Sequence, residues 1–477
     1  MVTYENNKVF GLQIAYIGGG SRNWARTLMS DLAKNQDLNG TVRLYDIDHE
    51  AAKINAVLGN RIPEDNPGVN GNFYYIATET LEEALAGADF VVISVLPGTF
   101  DEMASDVHTP EKYGIYQPVG DSTGLGGTIR ALRTLPIFEE IAKGVEKCCP
   151  NAWVINYTNP MTMCTRMLYK TFPGIKAMGC CHEIFGARDF FADMYCDVNN
   201  LPRGTVGRYD IDITVTGVNH FTWITKARYH DIDLLEMAKA YAKEKMAIPF
   251  DDEPLDVSGE NWENMKTVMK RQHHFVKMDL LLRYGALAAA GDRHLAEFCP
   301  NHWYLGSPEN VFNWGFGLTK VAYRAKQRRD RLELSQRLYS GEEKFTIEPT
   351  GEEGSHLIHA LLGLGSFVTN VNIPNMGQIP DLPMGAVVET NAFVSTDSLL
   401  PVCAGPLPKD LKSLIEPIVA CQEMIVEAVQ KKDLSLAFKA FISDPQNNLS
   451  LADSKALFKE MCDNTKEYLT MYPEYQK

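Results

Sequence analysis

The chain has 477 residues, 45% of them hydrophobic and 22% charged, a length and balance that suit two fused lobes of a globular protein. Its 46 basic against 61 acidic residues leave a net charge of -15, which repels phosphate backbones and argues against nucleic-acid binding. No apolar run reaches bilayer length, and residues 1–8 lack the basic and apolar regions of a signal peptide, so a cytoplasmic protein without membrane contact is expected. The ten cysteines include the adjacent pairs Cys148-Cys149 and Cys180-Cys181, a spacing that reads as reduced thiols rather than a disulfide framework.

In chain order, residues 12–17 predict a short buried strand stopping at Gly18-Gly19-Gly20-Ser21, followed by a helix over 24–32. Residues 41–45 predict a second strand ending at Asp46. The β-branched run 90–95, closed by Pro97-Gly98, reads as a buried parallel strand. A helix over 131–145, a strand over 153–157 and another over 175–179 continue the alternation, which predicts a doubly wound parallel sheet of Rossmann type. The rhythm changes near residue 200. A strand at 211–218, a largely helical stretch at 264–290, a strand at 386–394 and helical spacing beyond Pro408 predict a mixed α+β second domain. The expected division is therefore 1–200 for nucleotide binding and 201–477 for substrate and subunit contacts, with residues 351–354 in a loop.

The strand–glycine–helix opening is an anion site, because bare backbone N–H groups and the helix N-terminus face the same point. Gly18 and Gly20 fit the first two glycines of the dinucleotide fingerprint, Gly19 and Ser21 complete the turn, and Asn23 stands at the third glycine position. Alone this is a weak motif that an ordinary glycine turn would also satisfy. Asp46 strengthens it, since a carboxylate there accepts hydrogen bonds from ribose hydroxyls and repels a 2′-phosphate, favouring NAD over NADP.

Four polar clusters then follow: Gly120-Asp121-Ser122-Thr123-Gly124; Asn156-Tyr157-Thr158-Asn159-Pro160; Cys181-His182-Glu183; and Gly217-Val218-Asn219-His220. Three of them close strands and the first precedes a helix, so all can meet in one crevice at the carboxyl edge of a sheet. Cys181 and His220 are chemically a metal pair, yet two ligands are too few to define a site, and a buried thiol and a core histidine explain them as well.

Together with Ile14-Ala15-Tyr16-Ile17 ahead of the glycines, Asn372-Ile373-Pro374-Asn375 and Gly385-Ala386-Val387-Val388-Glu389, these clusters resemble the family 4 glycoside hydrolases. These are NAD- and divalent-metal-dependent glycosidases of lactate dehydrogenase-like architecture that depart from two-carboxylate hydrolysis. The resemblance implies oxidation at sugar C3, removal of the C2 proton, elimination of the C1 leaving group, addition of water and re-reduction. It implies Cys181 and His220 as ligands of Mn2+ or another divalent metal, Asn159 as a substrate contact, Asp121 as a substrate or metal-shell contact, His182 as an acid, and Asn156 beside the cofactor. Arg283-Tyr284-Gly285 followed by Ala290-Gly291-Asp292 implies Asp292 as the C2 base, with Tyr284 the alternative and a helix cap the non-catalytic reading. Cys-His-Glu at 181–183 is similar to the α-galacturonidase subgroup, for which Glu183 is a substrate contact and Arg293 or Arg188 a partner for the uronate carboxylate. α-Galactosides, α-glucosides and α-glucuronides are the alternative substrates. The family also implies a dimer or tetramer. Two other classes stay open: a 2-hydroxy-acid dehydrogenase, which would accumulate NADH, and a non-catalytic NAD-sensing regulator.

Overall fold

The computed structural model describes residues 2–69, 71–248, 250–348 and 350–476. Its spine is a twisted, mostly parallel sheet. Strands β1 (Lys8–Ile17), β2 (Leu38–Tyr45), β3 (Phe73–Thr78), β4 (Phe90–Ile93), β5 (Trp153–Asn156) and β6 (Lys176–Gly179) lie in the order β3-β2-β1-β4-β5-β6, all parallel. Successive side chains feed opposite faces. Ala15, Ile17, Val91 and Ile93 enter one core, and Ile14, Tyr16, Phe90 and Val92 enter the other, so these strands are apolar throughout rather than alternating.

Helix α1 (Trp24–Lys34) covers one face, while α2 (Gly124–Cys148) and α3 (Met161–Thr171) cover the other. The sheet does not end with the first 200 residues. Asn372 of strand β9 (Phe367–Pro374) pairs antiparallel with Gly179, and β10 (Val387–Ser395) and β11 (Ser398–Pro401) extend that edge. The long C-terminal helix Lys409–Lys431 and the two after it bury Ile425, Val429, Phe441 and Leu457 in the same core as α2 and α3.

A second, antiparallel sheet is built on the hairpin of β7 (Asp212–Val218) and β8 (Phe221–Tyr229), joined by Ile232–Asp233 and Leu287–Ala288. The predicted helical stretch 264–290 is two helices, Trp262–Lys270 and α5 (Phe275–Tyr284), separated by a break at which His274 takes a left-handed backbone. The short helix α6 (Asp292–Phe298) and helix α4 (Glu183–Val198) complete the walls of the site. Among the described residues no helix is long and apolar enough to cross a membrane.

Candidate active site

The glycine turn follows β1 directly. Gly18 and Gly19 donate their N–H groups to the carbonyl of Tyr45, which seats the turn on the end of β2. A Cβ on Gly18, whose φ is +96°, would lie 2.0 Å from the carbonyl oxygen of Ser94, so only glycine lets the chain pass here. Gly20 N–H donates to Asp46 Oδ2 at 2.9 Å, and the Ser21 hydroxyl accepts from Trp24 N–H at 3.0 Å in the first turn of α1. Asp46 also accepts from Asp48 N–H, and Ile47 beside it is 90% exposed, an apolar surface next to a carboxylate. A bare-backbone cradle at a helix N-terminus with an acidic group on the next strand fits a dinucleotide.

The second cluster gathers where β5, β6 and the β7–β8 hairpin end. Val218 pairs with Phe221, leaving Asn219 and His220 as a two-residue turn in which His220 has φ +62°. That backbone costs a non-glycine residue about 1–2 kcal/mol, and the surrounding contacts hold it. His220 Nδ1 lies 2.9 Å from Ser122 Oγ, and Ser122 donates to Asp121 Oδ1 at 2.7 Å. Asn159 Nδ2 reaches Asp121 Oδ2 at 3.4 Å, and the Asn159 Oδ1 is buried without a partner. The loop carrying Asp121 is held by the buried Glu297, whose Oε1 accepts from Val119 and Gly120 N–H. Burial acts upward on Asp121, but Arg130, the two neighbouring histidines and the Ser122 hydroxyl outweigh it and bring its pKa to about 2. Burial, reinforced by His294, lowers His220 to about 3, so its ring is neutral.

Ligand atoms of Asp121, His220 and His294 all lie within 4.8 Å of one another, the metal-type group present among the described residues. The His220 and His294 rings face each other at 3.9 Å between centroids. Cys181 is buried but does not join this trio, and burial raises its pKa well above the usual thiol range. Behind it the fully buried Glu389 accepts from Asn219 Nδ2 at 3.1 Å and Asn370 Nδ2 at 2.7 Å, which ties the hairpin to β9 and β10. A neutral imidazole, a carboxylate, a second imidazole and a nearby thiol form a donor set that fits a borderline divalent cation.

Asp292 opens α6, yet its carboxylate is turned to another helix. Oδ1 accepts from Lys277 N–H at 3.0 Å in the first turn of α5, while Oδ2 is buried with no partner. Burial lifts its pKa to about 6 against the opposing pull of the α5 backbone and Lys277. Glu183 Oε2 accepts from Gly291 N–H at 2.8 Å, and its other oxygen is 3.9 Å from His294 Nε2, so these residues share one wall. A cavity of about 580 Å3 adjoins that wall and includes Glu183, Lys277 and Ala289, although Asp121, His220 and His294 are not among its lining.

Four of the expected residues lie otherwise. Tyr284 ends α5, about 10–14 Å along the helix from the turn that Asp292 caps, and burial raises its pKa. Asn156 is fully buried, and its side chain closes the strand end by bonding Thr158 on both sides. Arg293 donates to the carbonyls of Met269 and Pro118 and to Thr319 Oγ1, leaving Nε buried and unpartnered. His182 is 55% exposed, stacks on Trp24 and pairs with Glu352 at 3.4 Å. Ser122, His294, Glu297 and Glu389 were not singled out by sequence reasoning. Ser122 and Glu389 entered only as members of their motifs, and His294 only as a neighbour two residues from Asp292.

Fold and site thus define a dinucleotide-type α/β protein with a buried metal-type cluster at the carboxyl ends of its strands. The family 4 glycosyl hydrolase profile matches residues 13–196, and that of the family 4 glycosyl hydrolase C-terminal domain matches residues 215–447. The chain belongs to the family 4 glycosyl hydrolases. An alpha-galacturonidase from Thermoanaerobacterium saccharolyticum is 54% identical over 466 residues, covering 98% of each chain. A solved Bacillus subtilis structure described as that of a glucosidase is 46% identical with a TM-score of 0.86, covering 95% of this chain and 100% of its own. A 6-phospho-beta glucosidase from Thermotoga maritima, solved with manganese, NAD+ and glucose-6-phosphate, shares the fold at 23% identity and a TM-score of 0.71, covering 96% and 99%.

Proposed function

We propose that the protein hydrolyses α-galacturonides with the help of NAD and a divalent metal such as Mn2+. The observation that carries this reading is the Asp121–His220–His294 cluster, whose His294 lies two residues from Asp292, in a chain that matches an alpha-galacturonidase over 98% of its length. Residues 1–200 then hold the dinucleotide, at Gly18, Gly19, Gly20, Ser21 and Asp46, with Asn156 shaping the strand end beneath it. Residues 201–477 supply most of the substrate side and the contacts of a dimer or tetramer. Buried free thiols such as Cys164, Cys196 and Cys299 suit a reducing, cytoplasmic setting.

When bound, the dinucleotide supplies a reversible hydride acceptor for the sugar C3–H, and the metal, which His220 would hold with Asp121 and His294 and with Cys181 as the further ligand the family resemblance implies, supplies a Lewis acid beside it. The protein's own part is positioning and proton transfer. Asp292 is our assignment for the C2 base, because Oδ2 is free, Oδ1 is anchored, and a pKa near 6 leaves it ionised yet basic at neutral pH. Asp121 and Asn159 offer an anion and a free carbonyl to sugar hydroxyls, and Glu183 fixes the loop carrying Asp292 while facing the same wall. His182, exposed at the rim, is the candidate proton donor to the leaving group. Arg293 and Arg188 each keep a buried Nε without a protein partner, and these are the candidate donors to the uronate carboxylate.

The test is a panel of p-nitrophenyl α-galacturonide, α-galactoside and α-glucoside with NAD+, Mn2+ and a thiol reductant. Expected are preferential aglycone release from the galacturonide, no accumulation of NADH, and solvent deuterium at C2 of the product. Net NADH formation without aglycone release would replace the hydrolase by a dehydrogenase.

A further inference from the structure

We propose that Ser122 is a positioning residue that fixes the tautomer of His220 and so presents a bare Nε2 to the metal. The inference rests on the metal-assisted reading above and deepens it. Ser122 is 4% exposed and His220 5%, so no bulk water competes for their polar atoms. The serine hydroxyl has one proton. At 2.7 Å from Oδ1 of Asp121, which accepts it, that proton is committed to Asp121. What Ser122 has left for His220, 2.9 Å away, is a lone pair, so the imidazole must carry its hydrogen on Nδ1. A neutral imidazole protonated on Nδ1 has its free lone pair on Nε2, the form a metal ion needs.

The arrangement also has direction. Asn159 and Glu297 hold the Asp121 loop from the other side, so the carboxylate cannot swing away and release the serine proton. The β7–β8 turn sets the ring by a left-handed backbone at His220, and Ser122 then selects which nitrogen carries the hydrogen. Asp121, Ser122 and His220 therefore act as a relay of hydrogen bonds rather than as three separate ligands.

The full-length protein, reduced and stripped of metal, is titrated with Mn2+ alone, following free Mn2+ by electron paramagnetic resonance. Ser122→Ala is expected to weaken binding about 10- to 100-fold, the usual effect of removing an outer partner of a metal-bound histidine. Ser122→Thr, which keeps the hydroxyl, is expected to restore it to within a few-fold. Co2+ substitution should show a shifted visible spectrum in Ser122→Ala but not in Ser122→Thr. NAD+ binding, followed by tryptophan quenching, should be unchanged in both and reports that the fold is intact. Wild-type affinity in Ser122→Ala alongside a weakened His220→Ala would overturn the relay alone. No saturable Mn2+ binding by the wild type, or unchanged binding by His220→Ala, would remove the metal reading and the relay with it.

Discussion

Replacing Asp292 by asparagine should raise stability and abolish turnover, two effects of opposite sign from one atom. Burial lifts this carboxyl from 3.8 to about 6, which corresponds to a penalty of about 3 kcal/mol on the charged form in the folded protein at neutral pH. For an acid whose pKa rises on folding, the stability it contributes is complete below the unfolded value and is lost as pH climbs through the folded one. The penalty therefore grows between about pH 4 and 6 and is full above that. Asparagine keeps an oxygen for Lys277 N–H and carries no charge, so the metal-free, NAD-free variant should gain up to about 3 kcal/mol at pH 7.5 and close to nothing at pH 4. Urea unfolding at the two pH values reads the stability. Aglycone release and C2 deuterium exchange, both expected to fall about 10²- to 10⁴-fold, read the base. A variant that keeps a tenth of wild-type turnover would reduce Asp292 to a helix cap, and one that is less stable at pH 7.5 would show the burial penalty to be misassigned.

Three further outcomes test other parts of the site. Asp46→Ala removes a carboxylate acceptor worth about 1.5–3 kcal/mol to hydroxyl donors, so NAD+ should bind about 10- to 100-fold more weakly in a fluorescence titration while NADP+ is less disfavoured than before. Gly18→Ala places a Cβ 2.0 Å from the Ser94 carbonyl at φ +96°, and should lower the urea midpoint or the soluble yield sharply; an unchanged midpoint would disprove the close approach. Tyr284→Phe should leave turnover within about threefold, since the ring lies at the far end of α5 from the turn that Asp292 caps; a 100-fold loss would return the base role to the tyrosine.

The edge strand β3, with Tyr74 61% and Ile76 40% exposed, was not anticipated, whereas strands β1, β2, β5 and β6 were legible because apolar runs there stop at glycine, aspartate or asparagine. Boundaries were less so where local propensity and packing disagree. Helix α2 starts at Gly124, seven residues before residue 131 where the sequence pattern begins, through a glycine-rich turn that is a poor helix former. Its reason is tertiary: a Cβ on Gly126 would come within 2.7 Å of the Asp106 carbonyl oxygen. Likewise Leu287–Ala288 lies in an apolar run too short to separate strand from helix by period, and only pairing with Trp223 and Ile224 decides it. Strand β9 reaches the Rossmann sheet from almost 200 residues downstream, a pairing that no local pattern announces.

The site divides along the same line. Gly18, Asp46, Asn159, Cys181 and His220 sit at strand ends or tight turns, where chemistry-bearing residues stand out against an apolar background. Ser122 and Glu389 do not, because each matters only through a partner brought from far away: 98 residues to His220 for the serine, and 170 to Asn219 for the glutamate. Both partners are the central residues of one two-residue turn. That turn sets Asn219 and His220 side by side, both buried, with a left-handed backbone at His220 that surrounding contacts hold. Ser122, in the loop ahead of α2, and Glu389, on β10, both hold it. The strained turn is therefore held by contacts from both the antiparallel sheet and the large sheet with β10 at its edge, which makes the placement of His220 a product of the complete fold rather than of either half.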